Sequence, residues 1–329
     1  MSEFPFVSVI IPTYQREQVL RKTVMEVLKQ DYPNFEIIIS DQTANHTEEV
    51  KSFLDRLEEQ GRIKHILLDT PSITRSKNAA ISIAKGEIVL ILDDDVLIPS
   101  NMFIHNHVKM YKDNSIAGTA GKIVDRLSVQ GGHKTKDILK NICGFLYGIV
   151  TDPTGSKYKD YKINHKFIGK LLPTGAMIVN QNIDGVAYVE VFAGANTSFR
   201  KDVLEQVGLF DKEFRGNAHR EESDLSVRII RSGYKIIYTS EAEVFHLVSP
   251  HGGSRNKIGL EWYNDYFFNN AFFFYKHFHW ALTPFLFLHL LLEIAKAFKE
   301  FRLAALRGFI YSIKEGYMKA KEKRQNTKF

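Results

Sequence analysis

Residues 87–95, EIVLILDDD, constrain this chain more than any other stretch, because five consecutive apolar residues lead straight into Asp93, Asp94 and Asp95. So apolar a run reads as a strand covered on both faces, as in a parallel sheet flanked by helices. The carboxylates then emerge at the strand's carboxyl end, where open α/β sheets bind ligands. Side chains alternate along extended chain, so Asp93 and Asp95 are expected on one side and Asp94 on the other. Two convergent carboxylates make a hard-oxygen half-site suited to Mg²⁺ or Mn²⁺ shared with a diphosphate. A solvated acidic turn would leave the same three letters, so the surroundings decide.

Those surroundings alternate. Strands are expected at Val7–Ile11, Phe35–Ile39 and Ile63–Leu68, and helices at Val19–Leu28, Thr47–Glu59 and Ile73–Ala84, which gives β-α-β-α-β-α-β ending on the Asp triplet. The turn after the first strand, Pro12-Thr13-Tyr14-Gln15-Arg16, has no glycine. Dinucleotide binding of the Rossmann type needs glycine there so that the backbone can approach a pyrophosphate, so NAD and FAD are disfavoured. Residues 96–190 read less regularly, with loops expected at Gly131–Lys134 and Thr154–Lys157. Beyond them come a strand near Tyr188–Phe192, short helices at Val203–Val207 and Asp224–Arg231, and a strand at Tyr234–Tyr238.

Cys143 is the only cysteine, so no intrachain disulfide can form and a reducing compartment is favoured. The amino terminus lacks the features of a signal peptide, and a cytoplasmic location is expected. The formal charge of +6 is concentrated at one end: Lys296–Phe329 holds ten Lys or Arg against three Glu, a surplus of seven, leaving about −1 for the rest. A basic tail on a near-neutral body argues against nucleic acid as a partner and for an anionic surface.

Taken together, VSVIIPTYQRE, EIIISDQT, ILDDDV, GANTSFRKDVLEQVGLFD and REESDLSVRIIRSGYKIIY resemble the family 2 inverting glycosyltransferases, in the family's order and over residues 5–250. The resemblance implies an α/β fold of the GT-A type, a mainly parallel sheet flanked by helices, and a nucleotide-sugar donor such as a UDP- or dTDP-sugar. It places Thr13, Tyr14, Arg16 and Asp41 at the nucleoside, and Arg75 within TRSKN near the donor. Lys77 stands there in the family's usual Arg place, and Asn78 is expected to pack between helix and sheet. Asp95 is implied as the direct metal ligand, Asp93 as a ribose or metal contact and Asp94 as a donor-site neighbour, with Mn²⁺ or Mg²⁺ bridging the phosphates. His246 falls where relatives place a further metal or phosphate contact, and Arg255 in a loop able to clamp the diphosphate. Glu222 occupies the position of the catalytic base, flanked by Glu221 and Asp224, while Gly194, Ala195 and Asn196 would form the acceptor-side wall. Acidic residues at a helix start are also favoured by the helix dipole alone.

From Tyr263 the composition turns aromatic. The uncharged run Phe278–Leu292 is too short for a spanning helix. On a helical wheel Leu291, Ile294, Phe298, Phe301, Ala305 and Phe309 share one face, which suggests a helix in the membrane interface with the lysines after it on anionic lipid. Packing on the catalytic domain, or on a second copy in a homo-oligomer, would hide the same stripe. The expected division is a nucleotide-sugar half at 1–120, an acceptor and base half at 121–255 and an amphipathic tail at 256–329. A bilayer-held enzyme suits a lipid-linked saccharide acceptor in cell-surface polysaccharide assembly. No Gln-X-X-Arg-Trp motif of processive synthases occurs, so one sugar per encounter is expected. Two alternatives are transfer to polyprenyl phosphate itself, which needs no base, and a non-catalytic scaffold that binds nucleotide sugars.

Overall fold

The computed structural model describes residues 4–125, 159–172, 175–249, 252–253 and 259–326. The expected loops at Gly131–Lys134 and Thr154–Lys157 lie outside these residues, as does Arg255.

The opening alternation forms as β1 Val7–Thr13, α1 Glu17–Leu28, β2 Phe35–Asp41, α2 Glu48–Glu59, β3 Lys64–Leu67, α3 Ile73–Ile83 and β4 Ile88–Leu92. Strands β3, β2, β1 and β4 lie side by side and parallel. Ile91, Ile10 and Ile38 pack into the core on one face, while Leu90, Leu92, Val9 and Ile37 pack into the core on the other. Double-sided burial explains why β4 is apolar without interruption. Pro12, expected to end the first strand, instead pairs in register with Ser40, and β1 runs on to set Thr13 beside Asp41.

The second half adds β5 Val96–Leu97 and β6 Ile116–Asp125, with α4 Phe103–Val108 between them, to the same sheet. Four short strands come next, β7 Lys162–Ile163, β8 Lys166–Phe167, β9 Gly169–Leu171 and β10 Met177–Val179, and they form two separate antiparallel pairs, β7 with β8 and β9 with β10. They are followed by β11 Val186–Val189, β12 Asn196–Arg200, α5 Lys201–Gln206, α6 Glu221–Arg231 and β13 Lys235–His246. Among the described residues the main order is β11-β13-β6-β12-β4-β1-β2-β3, with β5 pairing β13. Strand β12 is antiparallel to both β4 and β6, and β13 is parallel to β6. The segments at Tyr234–Tyr238 and Ala242–Phe245 are one strand with an irregularity between Thr239 and Glu243, and that strand delivers His246 beside Val96.

Two helices close the chain, α7 Leu260–His277 and α8 Thr283–Asn326. A bend of 72° separates the segment Trp280–Leu291, which includes the turn before α8, from Glu293–Asn326, and Arg302 carries non-helical backbone at φ 51°. No single helix among the described residues is long and apolar enough to cross a membrane, although the bent pair has the length and composition of a broken span. The apolar stripe expected on one face is divided. Ala305 and Phe309 are buried on α7, with Ile294 and Phe301 packed beside them, while Leu291 and Phe298 face outward with 57% and 49% exposure. A wheel assumes a straight axis and an unpartnered helix, whereas here the bends and the aromatic face of α7 choose which residues are covered. The distal basic residues are also partly engaged: Lys323 pairs with Asp211 at 3.2 Å, Lys319 with Glu213 at 3.5 Å, and Arg324 donates to the Phe278 carbonyl at 2.6 Å.

Candidate active site

The alternation at the end of β4 separates the three aspartates. Asp94 turns toward the first loop, accepting from Thr13 Oγ1 at 2.6 Å and from Arg16 at 2.8 Å. Burial pushes its carboxyl up to about 7 against the pull of Arg16 and Thr13. Asp93 and Asp95 turn the other way to meet His246, whose Nε2 lies 3.1 Å from Asp95 Oδ1 and 3.8 Å from Asp93 Oδ2. For Asp95, burial is outweighed by His246, Arg16 and the Ser249 N–H, which together hold it down at about 2. Burial likewise opposes charge on His246, yet hydrogen bonds to Asp125 and Asp95 raise it to about 10.

This cluster therefore stabilises a positive charge. Ligand atoms from Asp93, Asp95 and His246 all lie within 4.8 Å of one another, and Asp125 Oδ1 accepts from His246 Nδ1 at 2.9 Å, the outer carboxylate that orients a ligating imidazole. The donor set fits a divalent cation such as Mn²⁺ or Mg²⁺.

Opposite stands the acidic start of α6. Glu221 is 1% exposed and reaches Lys77 Nζ at 2.5 Å; burial, with Glu222 beside it, pushes its carboxyl up despite that lysine. Asp224 is turned from the cleft altogether, bound to Arg228 on its own helix and to Lys276 and His277 of α7. Although burial penalises its charge, these partners hold it well below the ordinary carboxylate range. Its expected place on the acceptor side is corrected, because two residues along a helix rotate a side chain by roughly 200°. Glu222 alone keeps an open carboxylate, with 25% side-chain exposure and Lys77 Nζ at 3.5 Å. A Cβ on Gly194 would stand 2.1 Å from Glu222 Oε1, so that glycine makes the room Glu222 occupies. Asp93, which lines a cleft, lies within electrostatic reach of both Lys77 and Glu222, which brings the two acidic centres near each other.

Thr13, Tyr14, Arg16, Asp93, Asp94 and Lys77 line that cleft, as do Gln42, Gly216, Asn217, Gly253, Trp262 and Asp265. Gly253 donates to the Tyr14 carbonyl at 2.8 Å, and its Cβ would strike the Arg16 guanidinium at 2.6 Å. Three expectations change. Arg75 is exposed and off the cleft, since the face of α3 that turns inward carries Lys77. Asn196 is wholly buried and committed to Ala242 O, Lys122 O and His107, while Gly194 lies against Glu222 and Ala195 accepts from Asp93 N. Asp41 is also fully buried, its Oδ1 taken by Thr43 N at 2.7 Å, so its neighbour Gln42 is the residue that reaches the cleft. Asn78 exchanges two hydrogen bonds with the backbone of Phe210, pinning α3 to that turn rather than to the sheet.

This arrangement matches known proteins in sequence and in shape. Residues 8–167 fit the profile of "Glycosyl transferase family 2". Over that stretch, just under half of its length, the chain is similar to glycosyl transferase family 2. Over 96 residues the chain is 34% identical to the putative colanic acid biosynthesis glycosyl transferase WcaA of Escherichia coli strain K12, 29% of this chain and 34% of that one. Another 36% identity over 94 residues links it to a Campylobacter jejuni GalNAc(5)-diNAcBac-PP-undecaprenol beta-1,3-glucosyltransferase, 28% of this chain and 30% of that one. These alignments therefore span only about a third of the relatives' own length. A longer one, 22% identity over 258 residues and 78% of this chain, reaches 84% of the O-antigen biosynthesis glycosyltransferase WbnJ of Escherichia coli. The structure of S. aureus TarS with UDP-GlcNAc superposes at TM-score 0.61 with 16% identity, over 97% of this chain and 82% of that one. A mannosyltransferase from Pyrobaculum calidifontis in complex with GDP-Man and Mn²⁺ superposes at 0.54 with 18% identity, over 100% of this chain and 89% of that one. The chain has the GT-A fold.

Its cleft also contains residues that sequence patterning passed over. Trp262 and Asp265 belong to the segment read as tail, and nothing local in that aromatic run announces that α7 returns to the donor side. Arg220, at φ 86° and 3% exposure, donates to Asn270 of α7 at 2.9 Å and so anchors the acidic box from behind.

Proposed function

We propose that this protein is a metal-dependent inverting glycosyltransferase that moves one sugar from a UDP- or dTDP-sugar onto a lipid-linked saccharide in cell-surface polysaccharide synthesis. The observation that carries the reading is the nearness of two carboxylate centres, Asp93–Asp95–His246 and Glu222, linked through Asp93 and Lys77, with only Glu222 of its box left open. Inversion by single displacement needs a base on the side away from the leaving group. Glu222 takes the acceptor hydroxyl proton, with the Lys77 ammonium, bound to Glu221, 3.5 Å away. Asp93, Asp95 and His246 would hold Mn²⁺ or Mg²⁺. When bound, that cation supplies charge neutralisation for the departing nucleoside diphosphate. Arg16 and Tyr14 line the donor side, and Gly194 leaves the acceptor room beside the base.

The experiment incubates the protein with a panel of nucleotide sugars and a native lipid extract, with Mn²⁺ or with chelator, and detects product by electrospray. A lipid species heavier by one sugar, formed only with metal, is expected; donor consumption without any such species would overturn the acceptor assignment. Asp95→Asn should abolish metal-dependent tightening of UDP or dTDP without unfolding, and unchanged calorimetry would remove the metal role.

Cytoplasmic-side membrane contact is part of the proposal. It draws support from outward-facing Phe285, Leu288, Leu291 and Phe298, since an exposed apolar patch of that kind asks for a partner. Leu291→Glu with Phe298→Glu should release the protein from liposomes. If the double variant instead changes oligomeric state while wild type ignores liposomes, the patch is a protein interface.

A further inference from the structure

On the reading of Glu222 as the base, we propose that Arg220 is its positioning residue and that α7 and α8 act through Arg220 as a clamp on the acidic box. The segment read from sequence as a tail is then part of the machinery for transfer. The turn ahead of α6 is strained. It takes positive φ at Gly216 (56°), Ala218 (50°) and Arg220 (86°). A residue other than glycine stays in that region only where its surroundings over-determine it, and such residues gather where geometry serves function. This turn aims the base. Glu221 N donates to Ala218 O at 3.0 Å and Asp224 N to Arg220 O at 2.9 Å, so the first turn of α6, which carries Glu222, takes its direction from residues 218–220.

The restraints come from the two closing helices. Asn269 of α7 exchanges two hydrogen bonds with the backbone of Arg215, both at 2.9 Å. The Arg215 guanidinium in turn reaches Glu315 of α8 as a fork, at 2.7 and 3.0 Å. The His219 ring lies 4.8 Å from that of Tyr266 on α7. Arg220 itself is caught twice, donating to Asn270 Oδ1 at 2.9 Å and to His289 Nε2 at 2.8 Å.

These two partners of Arg220 are neutral. Burial draws its guanidinium down to about 10, so it stays charged near neutral pH. Burial and that charge hold His289 down at about 4, which leaves its imidazole uncharged and able to accept. Among the described residues no carboxylate pairs with Arg220, and its Nη1 is buried without a hydrogen-bond partner. A buried charge among neutral groups is a poor source of stability, and departures of that kind are expected at functional positions. What the arrangement supplies is direction: a planar fork fixed at two points, one on each helix, immediately before the box.

The test is a double-mutant cycle on the full-length protein. Turnover is read as lipid product formed from the nucleotide-sugar panel and native lipid extract, and binding by calorimetry of UDP and dTDP with Mn²⁺. Arg220→Ala should lower kcat by about 10²-fold, the scale of a misplaced catalytic group, with donor KM and nucleotide affinity within about twofold of wild type. Arg220→Lys keeps the charge without the fork and should recover only part of the loss. In a Glu222→Gln background the same Arg220→Ala change should cost less than about threefold, because a group that acts through Glu222 has nothing left to position. An equal loss in both backgrounds would overturn the positioning role and leave the base assignment standing. Near-normal turnover in Glu222→Gln alone would instead remove the base. Should Arg220→Ala fail to fold, His289→Ala takes its place in the cycle. Amide hydrogen exchange tests the clamp without any substrate: in His289→Ala the Glu221 and Asp224 amides should exchange about tenfold faster or more, with those of the central strands unchanged. Unaltered protection at both amides would refute it.

Discussion

The end of β4 and the start of α6 each crowd three carboxylates into four residues or fewer, yet they spend them differently. At β4 one carboxylate, Asp94, is given to the scaffold through Thr13 and Arg16, and two are left to converge on His246. At α6 two are given to the scaffold, Glu221 through Lys77 and Asp224 through Arg228, Lys276 and His277, and one is left open. The geometry of the element sets the ratio. A strand end alternates strictly, so residues i and i+2 share a side, whereas a helix start fans successive residues around its axis. A pair suits cation binding and a single open carboxylate suits proton transfer.

Removing the open member of the second cluster should have the largest effect. Glu222→Gln is expected to lower turnover by roughly 10²- to 10⁴-fold with donor affinity unchanged by calorimetry. Near-normal turnover would erase the distinction between Glu222 and its neighbours. Next comes a scaffold member: Asp224→Asn leaves Arg228 without its counter-charge and Lys276 with Asp211 alone, a loss of about 3 kcal/mol in denaturant unfolding. A change below about 1 kcal/mol would show that Asp224 is not structural. The smallest is Gly194→Ala, whose methyl group would displace the Glu222 carboxylate. Turnover should fall about 10²-fold, the scale of a misplaced catalytic group, while the melting temperature and nucleotide affinity stay close to wild type. Turnover within twofold of wild type would mean that the position of Glu222 is not set by this contact.

Local patterns carried most of the first half of the fold. Helix and strand periods at residues 7–92 are written in consecutive residues, and the double-sided burial of β4 is visible in its five apolar letters. What escaped was phase and partnership. Arg75 and Lys77 differ by two positions in one helix, and only the packed structure says which of them faces in. Asn196 reads as a polar wall until the sheet and α4 close over it, with His107 at 2.8 Å. The stripe on α8 was read on a straight axis that the chain bends.

The cleft beside Asp93 and Asp94 is lined by residues drawn from between Pro12 and Asp94 together with Gly216, Asn217, Gly253, Trp262 and Asp265. Its floor and its far wall are therefore made at opposite ends of synthesis. A nascent chain on the ribosome can complete the β-α-β opening early, but it has no closed nucleotide pocket until Asp265 and the residues behind it have cleared the exit tunnel. Nucleotide retention by a ribosome-bound chain arrested at successive lengths would thus switch on late and abruptly, which makes the ligand a reporter of finished folding rather than of the first domain to form.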